Sequence, residues 1–133
     1  LVLGNLGAVY AMVVHGEDVL DEVSISAKTK VSRFRDGKID TFKLEPEIFG
    51  LWRGKMEDLR GGNKDENAAI TVSMLRGEKG PKRDTVLMNS AVACIVAGMT
   101  EDYKTAFEIA ADSIDSGKAW KKLEVVRKVS NAL

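Results

Sequence analysis

One cysteine, one histidine and two prolines are all that this chain carries of those residues, and its 20 basic and 20 acidic side chains cancel to a formal net charge of zero. The lone Cys94 excludes an internal disulfide, which points to a reducing compartment and the cytoplasm. Zero net charge weighs against nucleic acid as a partner, because binding phosphates calls for a basic face. No apolar run approaches the roughly 20 residues of a membrane helix, and the first residues lack the basic start and apolar stretch of a secretory signal.

What is present suits one α/β domain. The 133 residues are 44% hydrophobic and 30% charged, enough for a respectable core under an ordinary polar surface. Leu3, Leu6 and Gly7 read as the tail of a helix with a glycine stop. An opening on Leu1-Val2-Leu3, without methionine, reads as the start of a fragment. The run AVYAMVVHG at 8–16 is continuously apolar, which predicts a parallel strand covered on both faces, with a polar loop at 17–24. Asp36-Gly37 between runs carrying Val31, Phe34, Ile39, Phe42 and Leu44 predicts a β-hairpin that Pro46 ends. Residues 47–60 read as irregular or briefly helical.

About four helices follow. Asn63, with Glu66 three residues on, predicts a capped start for a helix reaching to about Arg76. Pro81 opens the next, and its stretch from Val86 to Ala97 is apolar almost all round, as a buried central helix would be. Thr100 is the expected cap of a third, striped by Tyr103, Phe107, Ala110 and Ile114. Ser116-Gly117 breaks it, and a fourth runs from about Lys118 to the end with Trp120, Leu123, Val126 and Val129 on one face.

Chemistry concentrates at 15–24, HGEDVLDEVS. A loop past the end of a strand frees Asp21 and Glu22 from strand alternation, so both can face one point where open α/β sheets hold ligands. Two hard oxygen donors suit magnesium, whose remaining positions go to water and substrate phosphates. Solvated loop acids are the commoner reading of such a pair by spacing alone. His15 is either a general base or a locally hydrogen-bonded side chain, Cys94 a small hydrophobe within an apolar helix, and Trp52 and Trp120 packing residues, with Trp52 a possible pocket wall. Gly61-Gly62 before a helix hints at a phosphate cradle, but Asp65 and Glu66 in the first turn would repel an anion, so a plain helix start is expected.

Four stretches together, NLGAVYAMVVHGEDVLDEVS, GGNKDENAA, GEKGPKRDTVLMNSAVA and AADSIDSGKAWKKLE, resemble anthranilate phosphoribosyltransferase in that family's order. The resemblance implies a nucleoside phosphorylase/phosphoribosyltransferase-type α/β fold, with residues 1–133 as the C-terminal portion of the catalytic domain. It implies transfer of phosphoribosyl from phosphoribosyl pyrophosphate to anthranilate, a step of tryptophan biosynthesis. It also implies that Asp21 and Glu22 hold Mg2+ on the pyrophosphate, and that the complete enzyme is a homodimer. The family's glycine-rich phosphate loop and anthranilate contacts belong upstream of Leu1, so this stretch alone should be inactive. The family's glycine before Leu-Asp-Glu is Val19 here, its Gly-Pro is Ala27-Lys28, and LWRGKM at 51–56 also departs. Two other readings are a pyrimidine nucleoside phosphorylase, which shares the broader fold, and a non-catalytic relative used for binding, including nucleic-acid binding.

Overall fold

The structure is a computed structural model that describes residues 1–132, leaving the last residue of the fourth predicted helix, Leu133, outside the described residues. A one-turn helix α1 (Val2–Asn5) leads through Gly7, at φ 93°, into strand β1 (Tyr10–Gly16). Strands β2 (Thr29–Arg35) and β3 (Lys38–Leu44) form the hairpin, and the sheet order is β1-β2-β3. Asp36 and Gly37 both take positive φ, 51° and 75°, the twist that a two-residue hairpin turn requires. A short 3-10 turn at Pro46–Phe49 and another at Met56–Leu59 carry the chain to the helices.

The expected parallel strand is corrected. β1 pairs with β2 antiparallel, from Tyr10 opposite Arg35 to Gly16 opposite Thr29. It is also not covered on both faces. Tyr10, Met12 and Val14 turn toward the core, whereas Val13 is 57% exposed. An apolar run records two apolar faces but says nothing about the direction of a neighbouring strand. Here the outer face is only partly roofed by α1, where a Cβ on Gly4 would lie 2.6 Å from the Phe34 ring. β1 has no strand on its other edge among the described residues.

Helices α2 (Lys64–Leu75), α3 (Pro81–Val96), α4 (Tyr103–Asp115) and α5 (Lys118–Ser130) follow, making five among the described residues. Asn63 caps α2 as expected: its Oδ1 accepts from the Asp65 and Glu66 amides at 2.9 and 3.1 Å, and Glu66 reaches back to the Asn63 amide at 2.7 Å. α3 is the central helix, burying Met88, Ala91, Val92 and Ile95 against Val23, Ile25, Val31, Leu44 and Phe49, and Leu87 against Ala110 and Ile114 of α4. Its apolar character does not mean burial all round, since Val86 and Ala93 are exposed. Arg83, itself buried, donates to Asp115 at 2.8 Å and ties α3 to the end of α4.

The cap of α4 is Asp102 rather than Thr100. The Asp102 carboxylate accepts from the Thr105 amide and hydroxyl, both at 2.8 Å, while the Thr100 hydroxyl accepts from the Asp102 amide, two residues too early to cap the helix. Tyr103 packs edge-on to Phe49, with ring centroids 5.4 Å apart, joining α4 to the segment that leaves the sheet. Only the first turns of α5 are packed, through Ala119, Trp120 and Leu123; Val126 and Val129 of the predicted stripe are exposed.

Candidate functional site

Because Gly16 and Thr29 are the last register pair of β1 and β2, residues 17–28 leave and re-enter the sheet at one point. The Glu17 amide donates to the Lys28 carbonyl at 2.8 Å, adding a rung beyond the strands. The Gly16 amide donates to the Leu20 carbonyl at 2.8 Å and folds the ascending limb back on itself. On the descending limb Val23, Ser24 and Ile25 are buried. The Val23 amide donates to Asn89 Oδ1 at 2.9 Å, and Asn89 Nδ2 returns a bond to the Val23 carbonyl at 3.1 Å, which clamps the loop to α3. The Ser24 amide donates to Thr29 Oγ1 at 2.9 Å, and the Ile25 carbonyl accepts from the Gly54 amide at 3.1 Å. The tip at 19–22 is thus held out on an anchored base.

Asp21 and Glu22 occupy that tip, both exposed. Among the described residues neither carboxylate takes part in a hydrogen bond or an ion pair. They are adjacent in one loop, as expected, and they are the only acids of the loop so placed: Glu17 pairs with Lys43, which holds its carboxyl below the ordinary range, and Asp18 is turned inward. Asp18 accepts from Ser24 Oγ at 2.5 Å and from Ser26 Oγ. Partial burial pushes its pKa up, but the two hydroxyls, together with the nearby Asp18 and Leu20 backbone amides, hold it below the ordinary aspartate value.

Val19 stands in this tip at φ 69° and is 85% exposed. A β-branched residue in the left-handed region is strained by roughly 1–2 kcal/mol. The loop therefore keeps a glycine-type backbone with valine in it. Val19→Gly should stabilise the protein by about 0.5–1 kcal/mol once the extra freedom of unfolded glycine is subtracted. A denaturant midpoint that falls on this substitution would contradict the strain.

The other predicted residues sort plainly. The His15 side chain is exposed on the outward face of β1, and among the described residues its ring has no hydrogen bond, so the expected local partner is not found. Cys94 is a half-buried packing residue against the core. Cys94→Ala should cost about 1 kcal/mol in denaturant unfolding, with catalysis of the complete protein unchanged; abolished turnover in a folded variant would overturn its packing role. Trp52 is not a packing residue: it is 91% exposed. Trp120 is partly buried with the Arg76 guanidinium 4.9 Å from its ring centroid. Gly61-Gly62 is a helix start and no anion cradle, since the Gly62 amide and carbonyl are both taken by Asn67 at 2.9 Å.

Sequence reasoning missed Asn89, Asp18, Ser24 and Ser26. Asn89 had a readable signal, a carboxamide inside the apolar run LMNSAVA of a core helix, where a polar side chain must find a partner. The inward turn of Asp18 had none, because four acids in six residues look alike until the backbone path is known.

The resemblance to anthranilate phosphoribosyltransferase implies Mg2+, and the donor set fits it. Asp21 and Glu22 offer only carboxylate oxygens, both uncommitted, which suits a hard cation that completes its shell with phosphates and water. No group of three or more potential metal ligands occurs among the described residues, so the pair is not a self-sufficient protein cage.

The three-stranded antiparallel sheet with its helices thus carries the exposed Asp21–Glu22 pair in the loop beyond the end of β1. Residues 1–120 match the glycosyl transferase family, a/b domain, and the chain belongs to that family. The anthranilate phosphoribosyltransferase of Symbiobacterium thermophilum is 51% identical over 132 residues, 99% of this chain and 39% of that protein. Among solved structures, the anthranilate phosphoribosyltransferase of Thermus thermophilus aligns with a TM-score of 0.81 at 36% identity, over 92% of this chain and 36% of that one. The Saccharomyces cerevisiae enzyme in complex with PRPP and Mg aligns with the same TM-score at 30% identity, over 92% and 35% of the two chains. The chain thus spans about two-fifths of the length of the first of these relatives. No helix among the described residues is long and apolar enough to cross a membrane.

Proposed function

We propose that residues 1–133 are the C-terminal portion of the catalytic α/β domain of an anthranilate phosphoribosyltransferase, and that Asp21 and Glu22 are its magnesium ligands. The observation that carries the reading is the anchored loop 17–28, which holds two uncommitted carboxylates in solvent within a chain 51% identical to a transferase of that name. The open edge of β1, with the exposed Val9 and Val13 beside it, is the side on which the sheet of a complete domain would continue.

Bound Mg2+ would supply positive charge against the negative charge that builds on the departing pyrophosphate. This chain's residues supply its seat. Asp21 and Glu22 would hold the ion, and the Asn89 clamp on Val23 keeps the adjoining backbone from drifting as charge moves, so that the site is formed before substrate arrives. The groups that cradle phosphoribosyl pyrophosphate and anthranilate are assigned to the rest of the complete protein. These 133 residues alone are therefore proposed to be inactive. The complete protein is proposed to be a cytoplasmic homodimer, on the likeness to the family.

The experiment is loss of anthranilate, followed by its fluorescence, in the complete polypeptide with phosphoribosyl pyrophosphate and Mg2+. Magnesium-dependent consumption is the expected result. No consumption, or phosphorolysis of a pyrimidine nucleoside in its place, would contradict the proposal.

A further inference from the structure

We propose that Asp18 is a positioning residue for the Asp21–Glu22 pair: its carboxylate clasps the two limbs of the loop together and so sets where the tip presents its metal-binding oxygens. The inference rests on the magnesium reading of that pair.

The descending limb is held from outside the loop, by Asn89 at Val23, by Thr29 at Ser24 and by Gly54 at Ile25. The ascending limb has no such outside anchor past Glu17. Asp18 supplies the missing tie. It receives the hydroxyls of both Ser24 and Ser26, and among the described residues this is the side-chain link that spans the tip. Ser24 Oγ is committed in turn, accepting from the Ser26 and Ala27 amides at 3.0 and 3.1 Å, so the clasp extends into the backbone of the descending limb.

The same geometry separates Asp18 from the ligands it serves. Its Oδ2 already accepts two hydroxyls. Its Oδ1 is buried with no hydrogen-bond partner, lying where a Cβ on Gly16 would have to go. With Oδ1 closed off and Oδ2 committed, the carboxylate is not free in solvent as those of Asp21 and Glu22 are. Gly16 is therefore part of the device, because the lack of a side chain there leaves the seat into which the carboxylate folds.

A charged group held by two hydroxyls and desolvated on its other oxygen is stiff. Partners that orient metal ligands without touching the ion typically change metal affinity by about 10- to 100-fold when removed. The effect expected here lies at the lower end of that range, because the Asn89 clamp survives.

The test uses the complete polypeptide and two readouts: the Mg2+ concentration giving half-maximal turnover, and Mn2+ binding with pyrophosphate present, measured by electron paramagnetic resonance. Asp18→Ala should weaken Mn2+ binding and raise the half-saturating Mg2+ concentration about tenfold, with the melting temperature and the maximal rate at saturating metal close to those of the parent. Asp18→Asn, which keeps one acceptor oxygen for the serines, should recover part of the loss. Gly16→Ala, which fills the seat, and Ser24→Ala and Ser26→Ala, which remove the donors, should shift the metal dependence in the same direction as Asp18→Ala. Should Asp18→Ala fold poorly, the half-exposed Ser26→Ala carries the test. Unchanged metal dependence in the serine variants alongside a large loss in Asp18→Ala would make Asp18 itself a ligand and overturn the positioning role. Unchanged metal dependence in all of them overturns the clasp while leaving Asp21 and Glu22 in place. A parallel Asp21→Ala variant with parental metal dependence sinks the magnesium reading, and this inference with it.

Discussion

Replacing Asp21 and Glu22 together with alanine is expected to lower magnesium-dependent turnover of the complete protein by roughly 100- to 1000-fold, the scale of losing one preorganised electrostatic contact to developing charge. Stability should hardly change. Both side chains are exposed and, among the described residues, engaged by no hydrogen bond or ion pair, and substitutions at such positions fall within about 0.5 kcal/mol of neutral. This contrast between lost rate and retained fold distinguishes a functional pair from ordinary solvated acids. Turnover equal to the parent's at saturating Mg2+ would return Asp21 and Glu22 to the surface-charge reading that their spacing alone allows.

Met88→Ala is the opposite case. Met88 is fully buried at the centre of α3, among side chains from the sheet and α4. Truncating a buried long apolar side chain costs about 2–5 kcal/mol through lost burial and the cavity left behind, a large part of the 5–15 kcal/mol typical of a domain. The neighbouring residue is Asn89, which clamps the loop, so collapse of α3 into the cavity would also disturb the metal corner. Denaturant unfolding should show the loss. A change under about 1 kcal/mol would mean that α3 is not the centre of the core.

How much of this was legible depended on the range over which each determinant acts. The hairpin at Asp36-Gly37 and the cap at Asn63–Glu66 were readable because turn and cap are decided within a few residues. The α4 cap was misassigned by two residues: Thr100 and Asp102 can both accept an amide proton, and only the path of the chain chooses between them. The direction of β1 was not legible because an apolar run fits either ladder once both faces are apolar. At the site, the placement of Asp21 and Glu22 in one exposed loop was predicted, while their magnesium role came from the resemblance. The clasp of Asp18 and the clamp of Asn89 depend on contacts across the loop and from a helix far along the chain. No local pattern announces them. Val19 shows the reverse, a residue that argues against the left-handed backbone it adopts.

The most direct measurement is the binding of Mn2+, as a spectroscopic substitute for magnesium, to the complete polypeptide with and without phosphoribosyl pyrophosphate. The account predicts weak binding to the protein alone, tight binding of ion and substrate together, and loss of that tight binding when Asp21 and Glu22 are both alanine. Tight substrate-dependent Mn2+ binding that survives the double substitution would contradict it.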